Sequence, residues 1–171
     1  MTTNFPALFV AALVALAATP ALSFDVDKES GPLRGSIGQP ADEAALQSRL
    51  PQVRDELWRK FVNCPLGYDE ETGIYSIKLT PEVKRLDGKT VTMRGFVLPM
   101  DGSDRTKHFL LTRNTPVCMY CPPGQPNEVV EVQAAKPIQW SERIVTVTGI
   151  LRLVNDQERA VFFKMENARA N

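Results

Sequence analysis

The stretch from residue 143 to 153 limits the possible folds of this chain more than any other. Apolar residues and one glycine occupy every second position of it, at Val145, Val147, Gly149, Leu151 and Leu153. A period of two is typical of a β-strand that buries one face. Gly149 lies in the middle of this strand, where glycine indicates a sharp bend or a bulge, as at the corner of a barrel.

Four further strands are predicted, and Gly95 has a comparable place in the first of them. In chain order the five predicted strands are residues 90–100, 107–113, 128–134, 143–153 and 160–166. The run Asp-Gly-Ser-Asp at 101–104 predicts the hairpin turn between the first two strands. We therefore expect a mainly β (α+β) fold, a small five-stranded OB-like Greek-key barrel with an N-terminal helical segment. An SH3-like barrel or an open five-stranded sheet fits the same pattern.

The helical segment is predicted over residues 41–61. Apolar residues recur there at steps of three and four, at Ala45, Leu46, Leu50, Val53, Leu57 and Phe61. Pro51 interrupts this pattern and predicts a kinked helix or two short ones. Trp58 lies beside the same face, so we expect it to pack onto the barrel. Residues 63–73 are predicted to form a loop that contains Cys64, and Thr80-Pro81 predicts the start of a further helix.

The first residues predict export from the cell. Residues 5–18 are apolar, and Ala21-Leu22-Ser23 supplies the small residues that a signal peptidase needs, although no Lys or Arg precedes the apolar run. We expect a periplasmic protein with no transmembrane segment once the signal peptide is removed. The predicted organisation is a signal peptide at 1–23, a flexible linker at 24–40, and one domain at 41–171, with a helical and loop lead-in at 41–85 and the barrel at 86–167.

Charge and missing motifs exclude several functions. Lys+Arg and Asp+Glu both number 20, so the formal net charge is +0, which argues against a protein built to bind nucleic acid. The chain has no Gly-x-Ser-x-Gly motif, and its single histidine has no evident acidic partner in the sequence. We assign no catalytic residue, and enzymatic activity is not expected.

A Cys-x-x-Cys pair, Cys118 and Cys121, is the strongest chemical signal. This spacing lets two sulfurs face one point, so a site for a soft metal ion, zinc or copper, is one hypothesis. Cys64 and His108 are the candidate further ligands, and the thioethers of Met93, Met100 and Met119 would favour Cu(I). If residues 107–113 form a continuous strand, His108 lies roughly 17 Å from the cysteine loop.

Two other hypotheses concern the same loop. Export to an oxidising compartment favours a structural disulfide between Cys118 and Cys121, whereas the prolines that follow exclude the helix N-terminus of a thioredoxin-type oxidoreductase. The loop also has the composition of an interaction surface, since a proline-stiffened segment loses little entropy on binding. The partner would be a membrane transporter or another periplasmic protein. The predicted interaction residues are Met119, Tyr120, Pro122, Pro123 and Asn127.

The order of several short motifs resembles the exported bacterial family DUF3299. These motifs are Leu-Asp-Gly-Lys-Thr-Val at 86–91, Gly-Phe-Val-Leu-Pro at 95–99, Phe-Leu-Leu at 109–111, Cys118, and Pro-Asn at 126–127. The resemblance covers residues 80–167 and implies an OB-like, periplasmic or lipid-anchored protein, in some cases associated with transporters for zinc. Many members have Cys-x-His where this chain has Cys118 and Tyr120, with Cys121 added. In a metal site, that exchange would favour softer ions.

Overall fold

The structure, a computed structural model, describes residue 1, residues 41–117 and residues 123–170. The predicted linker, and the predicted signal peptide beyond its first residue, lie outside the described residues, as does the segment 118–122. The elements are, in chain order, α1 Ala41–Ser48, α2 Glu56–Val62, β1 Leu66–Asp69, β2 Ile74–Ile77, α3 Pro81–Lys84, β3 Thr90–Pro99, β4 Arg105–Thr112, a 3₁₀ turn Pro126–Glu128, β5 Val129–Gln139, β6 Val145–Asp156 and β7 Val161–Ala170. The prediction of a mainly β fold with five main strands is confirmed.

The five long strands form one sheet in which each strand has two neighbours. The order is β3-β4-β5-β7-β6, and β6 pairs in turn with β3, so the sheet closes on itself. β5 and β7 are parallel, and the other four pairs are antiparallel. The hairpin of β1 and β2 is a separate two-stranded sheet.

Two glycines let the strands of this sheet approach each other closely. A Cβ atom at Gly149 would lie 2.6 Å from Met165 Cγ and 2.8 Å from the Glu166 carbonyl oxygen. The register of β6 against β7 shifts between Thr148 and Ile150, so the predicted irregularity at Gly149 is confirmed. A Cβ atom at Gly95 would lie 2.8 Å from the Thr112 carbonyl oxygen. Gly95 is also the last residue of β3 that pairs with β6, since the next residues pair with β4.

Helix α2 packs its aromatic side chains into the core of the sheet. Asp55 caps its N-terminus, because the Asp55 carboxylate accepts a hydrogen bond from the Trp58 N–H at 2.9 Å. Trp58 and Phe61 are fully buried, and Phe61 stacks on Phe163 of β7 with 4.1 Å between ring centroids. The Trp58 indole Nε1 donates to the Arg94 carbonyl oxygen of β3 at 2.7 Å. The expectation that Trp58 packs onto the strands of this sheet is confirmed.

The N-terminal segment forms two short helices, which is one of the two predicted alternatives. It differs from its prediction in that only its later apolar residues reach the core. Leu46 and Leu50 are exposed, whereas the polar Gln47 is buried and donates a hydrogen bond to the Thr115 carbonyl oxygen at 3.1 Å. The apolar stripe therefore predicted the wrong face of α1, because α1 meets a polar loop rather than an apolar surface.

The lead-in before β3 contains one strand that was predicted as loop. Within residues 63–73, Leu66–Asp69 forms β1 and pairs with β2. The predicted helix start is confirmed, since Thr80 caps α3 by accepting a hydrogen bond from the Val83 N–H at 3.3 Å and Pro81 follows it. No helix in the described residues is long and apolar enough to cross a membrane.

Candidate functional site

The Cys-x-x-Cys segment is bordered by two stems, residues 113–117 and 123–128, which the structure describes. Cys118, Met119, Tyr120, Cys121 and Pro122 themselves lie outside the described residues, so their predicted roles stay predictions. The first stem follows the end of β4, and the second stem leads into β5. Together they determine where the segment between them is attached.

Glu128 joins the two stems through its carboxylate and its backbone. The carboxylate accepts from Arg113 Nη1, from Asn114 Nδ2 at 3.0 Å and from the Gln125 N–H at 3.0 Å. The Glu128 carbonyl oxygen also accepts from the Arg113 N–H at 3.0 Å. Hydrogen bonds to a charged acceptor are the stronger kind, so this carboxylate holds both stems in one arrangement.

Close packing adds a second constraint on the stems. Asn114 Nδ2 donates to the Pro123 carbonyl oxygen at 3.1 Å, across the base of the loop. Gly124 has φ +130°, and a Cβ atom there would collide with Asn114 Nδ2 and lie 2.6 Å from Glu128 Oε2. Only glycine fits at this position, because a side chain would have no room and would strain the backbone.

The N-terminal segment fixes the first stem from the other side. The Val53 N–H donates to the Arg113 carbonyl oxygen at 2.9 Å, and Thr115 Oγ1 donates to the Pro51 carbonyl oxygen at 2.7 Å. Together with the bond from Gln47 to Thr115, these contacts hold the stem against the segment that joins α1 to α2.

An apolar pocket of about 400 Å³ opens beside the first stem. Its lining comes from the end of β3, the stem, Pro51 and the loop between β5 and β6: Pro51, Phe96, Val97, Leu98, Pro99, Thr115, Pro116, Val117, Trp140, Ser141 and Glu142. Val117 is the residue immediately before Cys118 in the chain. The cysteine segment is therefore attached directly to the wall of this pocket, which has the size and apolar lining of small-ligand sites.

Exposed apolar side chains concentrate around the same pocket. Val117 and Trp140 line it, and Leu50, Met100 and Ile144 lie within two residues of its lining in the chain. Each of these five side chains is between 37% and 43% exposed. Clustered exposed apolar residues mark interaction sites more often than scattered ones do. The pocket and its rim are the candidate functional surface of the described chain.

His108 lies on β4 and is bound to a buried carboxylate. Its Nε2 atom is 2.6 Å from Glu131 Oε1 on β5, and Glu131 is 5% exposed. Arg159 Nη2 also contacts Glu131 Oε1 at 3.2 Å, and Lys164 Nζ contacts Oε2 at 3.1 Å. Burial raises the pKa of Glu131, but hydrogen bonds from His108, Lys164 and Arg159 outweigh it and hold this pKa at about 2. The acidic partner that the sequence did not reveal is thus Glu131, and Nε2, one of the two His108 nitrogens that could bind a metal ion, is already engaged.

Cys64 lies in the core rather than at the loop surface. It is fully buried and free, and its thiol donates to the Lys60 carbonyl oxygen at 3.6 Å. Asn127 is also buried, and its side-chain Nδ2 donates to the carbonyl oxygens of Val62 at 3.2 Å and Cys64 at 3.1 Å. Asn127 therefore ties the end of the second stem to α2.

The structure does not bring the other predicted ligands together. Met93 is fully buried on β3, whereas Met100 is exposed beside the pocket. Pro123 is buried and serves the stem contact described above. Within residues 41–117 and 123–170, no three His, Cys, Asp or Glu side chains are grouped to hold a metal ion.

Comparison with protein families identifies the chain's relatives. The model of a family described as "Protein of unknown function (DUF3299)" matches residues 45–168, which include every strand of the closed sheet except the end of β7. The chain belongs to the DUF3299 family. The resemblance expected from the sequence motifs is therefore confirmed, and it extends further towards the N-terminus than those motifs did.

One solved structure of a DUF3299 protein, from Pseudomonas aeruginosa, is similar to this chain. The two are 24% identical, and the match covers 56% of this chain and 66% of that chain with a TM-score of 0.47. The match thus spans just under two thirds of that protein's length. A search of curated proteins finds no match.

Sequence reasoning missed Glu128 and Trp140, which lie at the candidate site, and Glu131, which binds the candidate ligand His108. Glu128 and Glu131 were read only as part of a strand, and Trp140 was not singled out. The run Pro-Asn-Glu at 126–128, directly before a strand, could have indicated a capped turn with a carboxylate aimed back at the loop. Trp140 carried a weaker signal, since one tryptophan in a polar loop often marks a contact surface.

Proposed function

We propose that this DUF3299 protein is an exported, periplasmic binding or accessory protein whose site is the Cys-x-x-Cys segment together with the adjoining pocket. The observation that carries the proposal is the attachment of that segment. A partly buried polar network centred on Glu128 fixes both stems, and Val117 joins the segment to an apolar pocket. A fixed attachment lowers the entropy that a loop loses when it binds a ligand or a partner.

We propose in addition that the closed five-stranded sheet is an OB-like Greek-key barrel. Numbered from β3, its order is first, second, third, fifth, fourth, and its third and fifth strands are the parallel pair. A long first strand that bends at Gly95 and changes partner there supports the same assignment. In this arrangement the cysteine loop connects the second and third barrel strands.

The proposed ligand is a soft metal ion, Cu(I) or zinc. Two cysteines two residues apart supply thiolates, which such ions prefer. Met100, exposed beside the pocket, is the thioether nearest to the pocket lining in the chain and would favour Cu(I). A transporter or another periplasmic protein is the proposed partner for delivery or receipt of the ion, in line with the properties that the family resemblance implies.

A second candidate is a disulfide-bearing interaction module without a metal. The observation that favours it is that side chains which could complete a metal site already have other partners. The Glu128 carboxylate accepts three hydrogen bonds, His108 Nε2 contacts Glu131, and the Cys64 thiol is buried against α2. In that case Cys118 and Cys121 would be joined, and the pocket alone would bind the partner. Disulfide exchange as a catalytic activity is the weakest of the three proposals.

Metal content and free thiols, measured together, separate the candidates. The full chain is produced in a bacterium, recovered from the periplasmic fraction and analysed by elemental mass spectrometry and thiol titration. We expect about one metal ion per chain, lost in the Cys118→Ser/Cys121→Ser double variant. The Cys64→Ala variant shows whether a third sulfur contributes. A fully oxidised Cys118–Cys121 pair without metal, unchanged by gentle reduction and addition of Cu(I) or Zn²⁺, contradicts the metal proposal and leaves the interaction module.

Export is tested by the same preparation. Deletion of residues 2–23 should keep the protein in the cytoplasm, whereas the full chain should appear in the periplasm at a mass reduced by the signal peptide. Equal distribution of both forms between the two fractions contradicts the proposed location.

A further inference from the structure

Helix α1 presents a polar side chain to the rest of the chain and apolar side chains to solvent. Gln47 is buried and donates a hydrogen bond to the Thr115 carbonyl oxygen, whereas the neighbouring Leu46 is 57% exposed. Leu50, in the turn that follows α1, is exposed as well. A surface helix usually buries its apolar side. The two leucines therefore form an apolar projection that the described residues do not cover.

These exposed leucines lie beside the apolar pocket. Leu50 is followed directly by Pro51, which lines the pocket, and Gln47 of α1 bonds to Thr115, which also lines it. An apolar projection and an apolar cavity thus lie next to each other on one surface. A two-fold interface between identical copies needs this arrangement, because each copy must carry both complementary parts.

The charges around this surface are of both signs. The loops beside the pocket contribute four exposed charged residues: Asp104, Arg105, Glu142 and Arg143. Exposed Asp42 lies near the start of α1, and exposed Arg49 follows its last residue. A surface of mixed charge can pair with a second copy of itself, and it gives no preference for a strongly acidic or a strongly basic partner.

We propose that a second copy of this chain covers the pocket, in a two-fold symmetric dimer. Leu46 of each copy enters the pocket of the other copy and packs against Trp140, and Leu50 lies beside this contact. These apolar side chains leave water together, as at the apolar centre of protein interfaces. Asp42 and Arg49, at the two ends of α1, then meet residues of opposite charge on the rim of the other pocket.

A second copy accounts for more of this surface than other occupants do. A small apolar molecule would fill the pocket but would leave Leu46 and Leu50 in water. A foreign protein would have to supply an apolar projection, whereas this chain carries one beside the pocket. The inference rests on the part of the proposed function that makes the pocket a binding surface, and it names the occupant. It does not depend on the cysteines or on a bound metal ion.

Sedimentation of the protein, prepared as for the metal analysis, measures this association over a wide range of concentration. A reducing agent and a metal chelator are present throughout, so that neither an intermolecular disulfide nor a shared metal ion contributes. We expect a reversible equilibrium between monomer and dimer. In a mixture of isotope-labelled and unlabelled protein, intermolecular nuclear Overhauser effects should connect the Leu46 methyl groups with the Trp140 ring.

Matched variants locate the interface. Leu46→Ser and Trp140→Ala should each weaken dimerisation at least about tenfold, as expected for residues at the centre of an interface. Val62→Ser is the control, because Val62 of α2 is also exposed but lies outside the pocket lining. Its dimerisation should equal that of the parent. Circular dichroism should show that all three variants keep their fold.

A mixture of the two weakened variants tests the reciprocal arrangement. A dimer of one Leu46→Ser chain and one Trp140→Ala chain contains one intact contact, in which Leu46 of the second chain meets Trp140 of the first. Each variant alone forms a dimer in which both contacts are damaged. The mixture should therefore associate more strongly than either variant does alone.

Three results overturn the inference. One is that the protein stays a monomer at every concentration. The second is a dimer that neither Leu46→Ser nor Trp140→Ala weakens. The third is a mixture of these variants that associates no better than each variant alone. The metal proposal fails separately, since the dimer is measured with the metal removed and the metal content is measured without regard to association.

Discussion

The two tryptophans of the chain make the same hydrogen bond in opposite surroundings. Trp58 and Trp140 each donate an indole N–H to a β3 carbonyl oxygen, at Arg94 and at Val97. Trp58 belongs to α2 and is fully buried, whereas Trp140 is 37% exposed beside an apolar pocket. The half of β3 that pairs with β6, residues 90–95, is therefore covered by a buried tryptophan, and the half that pairs with β4, residues 96–99, by a partly exposed one.

This difference indicates that the two halves have different tasks. The half under α2 contributes to stability, because it seals the core with large buried aromatic side chains. The half beside the pocket is bordered by the exposed apolar side chains of Val117 and Trp140, which contribute little to stability and suit binding. The following predictions test this separation, from the largest expected effect to the smallest.

Trp58→Ala should have the largest effect on stability. It removes a fully buried ring and leaves the Arg94 carbonyl oxygen without its indole partner, so we expect a loss of about 3–5 kcal/mol in the free energy of unfolding. Chemical denaturation followed by circular dichroism measures this loss. Trp58→Phe is the control that keeps most of the ring, and it should lose less. A loss below that of Trp140→Ala contradicts the comparison.

Acid should weaken the sheet at a position that involves neither tryptophan. The pKa of Glu131 is lowered to about 2 by His108, Lys164 and Arg159, of which Arg159 also contacts Asp156. A lowered pKa means that the folded state favours the carboxylate, so its contribution is complete above about pH 5 and is lost as the pH falls towards 2. We expect a loss of at most about 3 kcal/mol.

Unfolding curves at a series of pH values between neutral and acidic conditions measure this loss. Glu131→Gln keeps the shape of the side chain, and its stability should change much less over the same interval. An equally steep decline in Glu131→Gln would assign the acid sensitivity to other carboxyl groups.

Gly95→Ala should disturb the point where β3 changes partner. The added Cβ would lie 2.8 Å from Leu111 Cδ1 and from the Thr112 carbonyl oxygen, and the latter is backbone that cannot turn away. We expect a loss of about 1–3 kcal/mol, typical of overpacking. Thermal unfolding measures it, and an unchanged melting temperature would show that the two halves are not held together as tightly as their contacts indicate.

Trp140→Ala should have the smallest effect on stability, about 1 kcal/mol or less, because the side chain is partly exposed and its hydrogen bond is neutral. Chemical denaturation of Trp58→Ala and Trp140→Ala under the same conditions measures the difference between the two halves of β3. Losses of similar size would remove that distinction.

The strands could be predicted because their pattern is local. Alternation over residues 143–153, with Gly149 in the middle, contains the information for a strand with a bulge. Leu66–Asp69 was missed because a strand of four residues with a glycine has too short a pattern to separate from a loop. The exposed face of α1 was misassigned because its partner is the Thr115 carbonyl oxygen, a polar group that hydrophobic periodicity does not detect.

The sequence indicates where in the chain a candidate site lies, but not which other residues surround it. Spacing identifies Cys118 and Cys121 because their chemistry lies in a short motif. The pocket depends on where β6 begins relative to Gly95, which is a matter of register between distant strands. The partners of Glu131 come from β4, β7 and the turn between β6 and β7, so no local pattern contains them.

The arrangement of the two stems also makes this chain a convenient scaffold for grafting. The hydrogen bonds from Arg113, Asn114 and Gln125 to Glu128 use only residues outside 118–122. A foreign segment inserted between Val117 and Pro123 would therefore leave this network intact and would be displayed from a fixed base. A library of such insertions could be screened for new ligands on a base whose hydrogen bonds come from residues outside the insert.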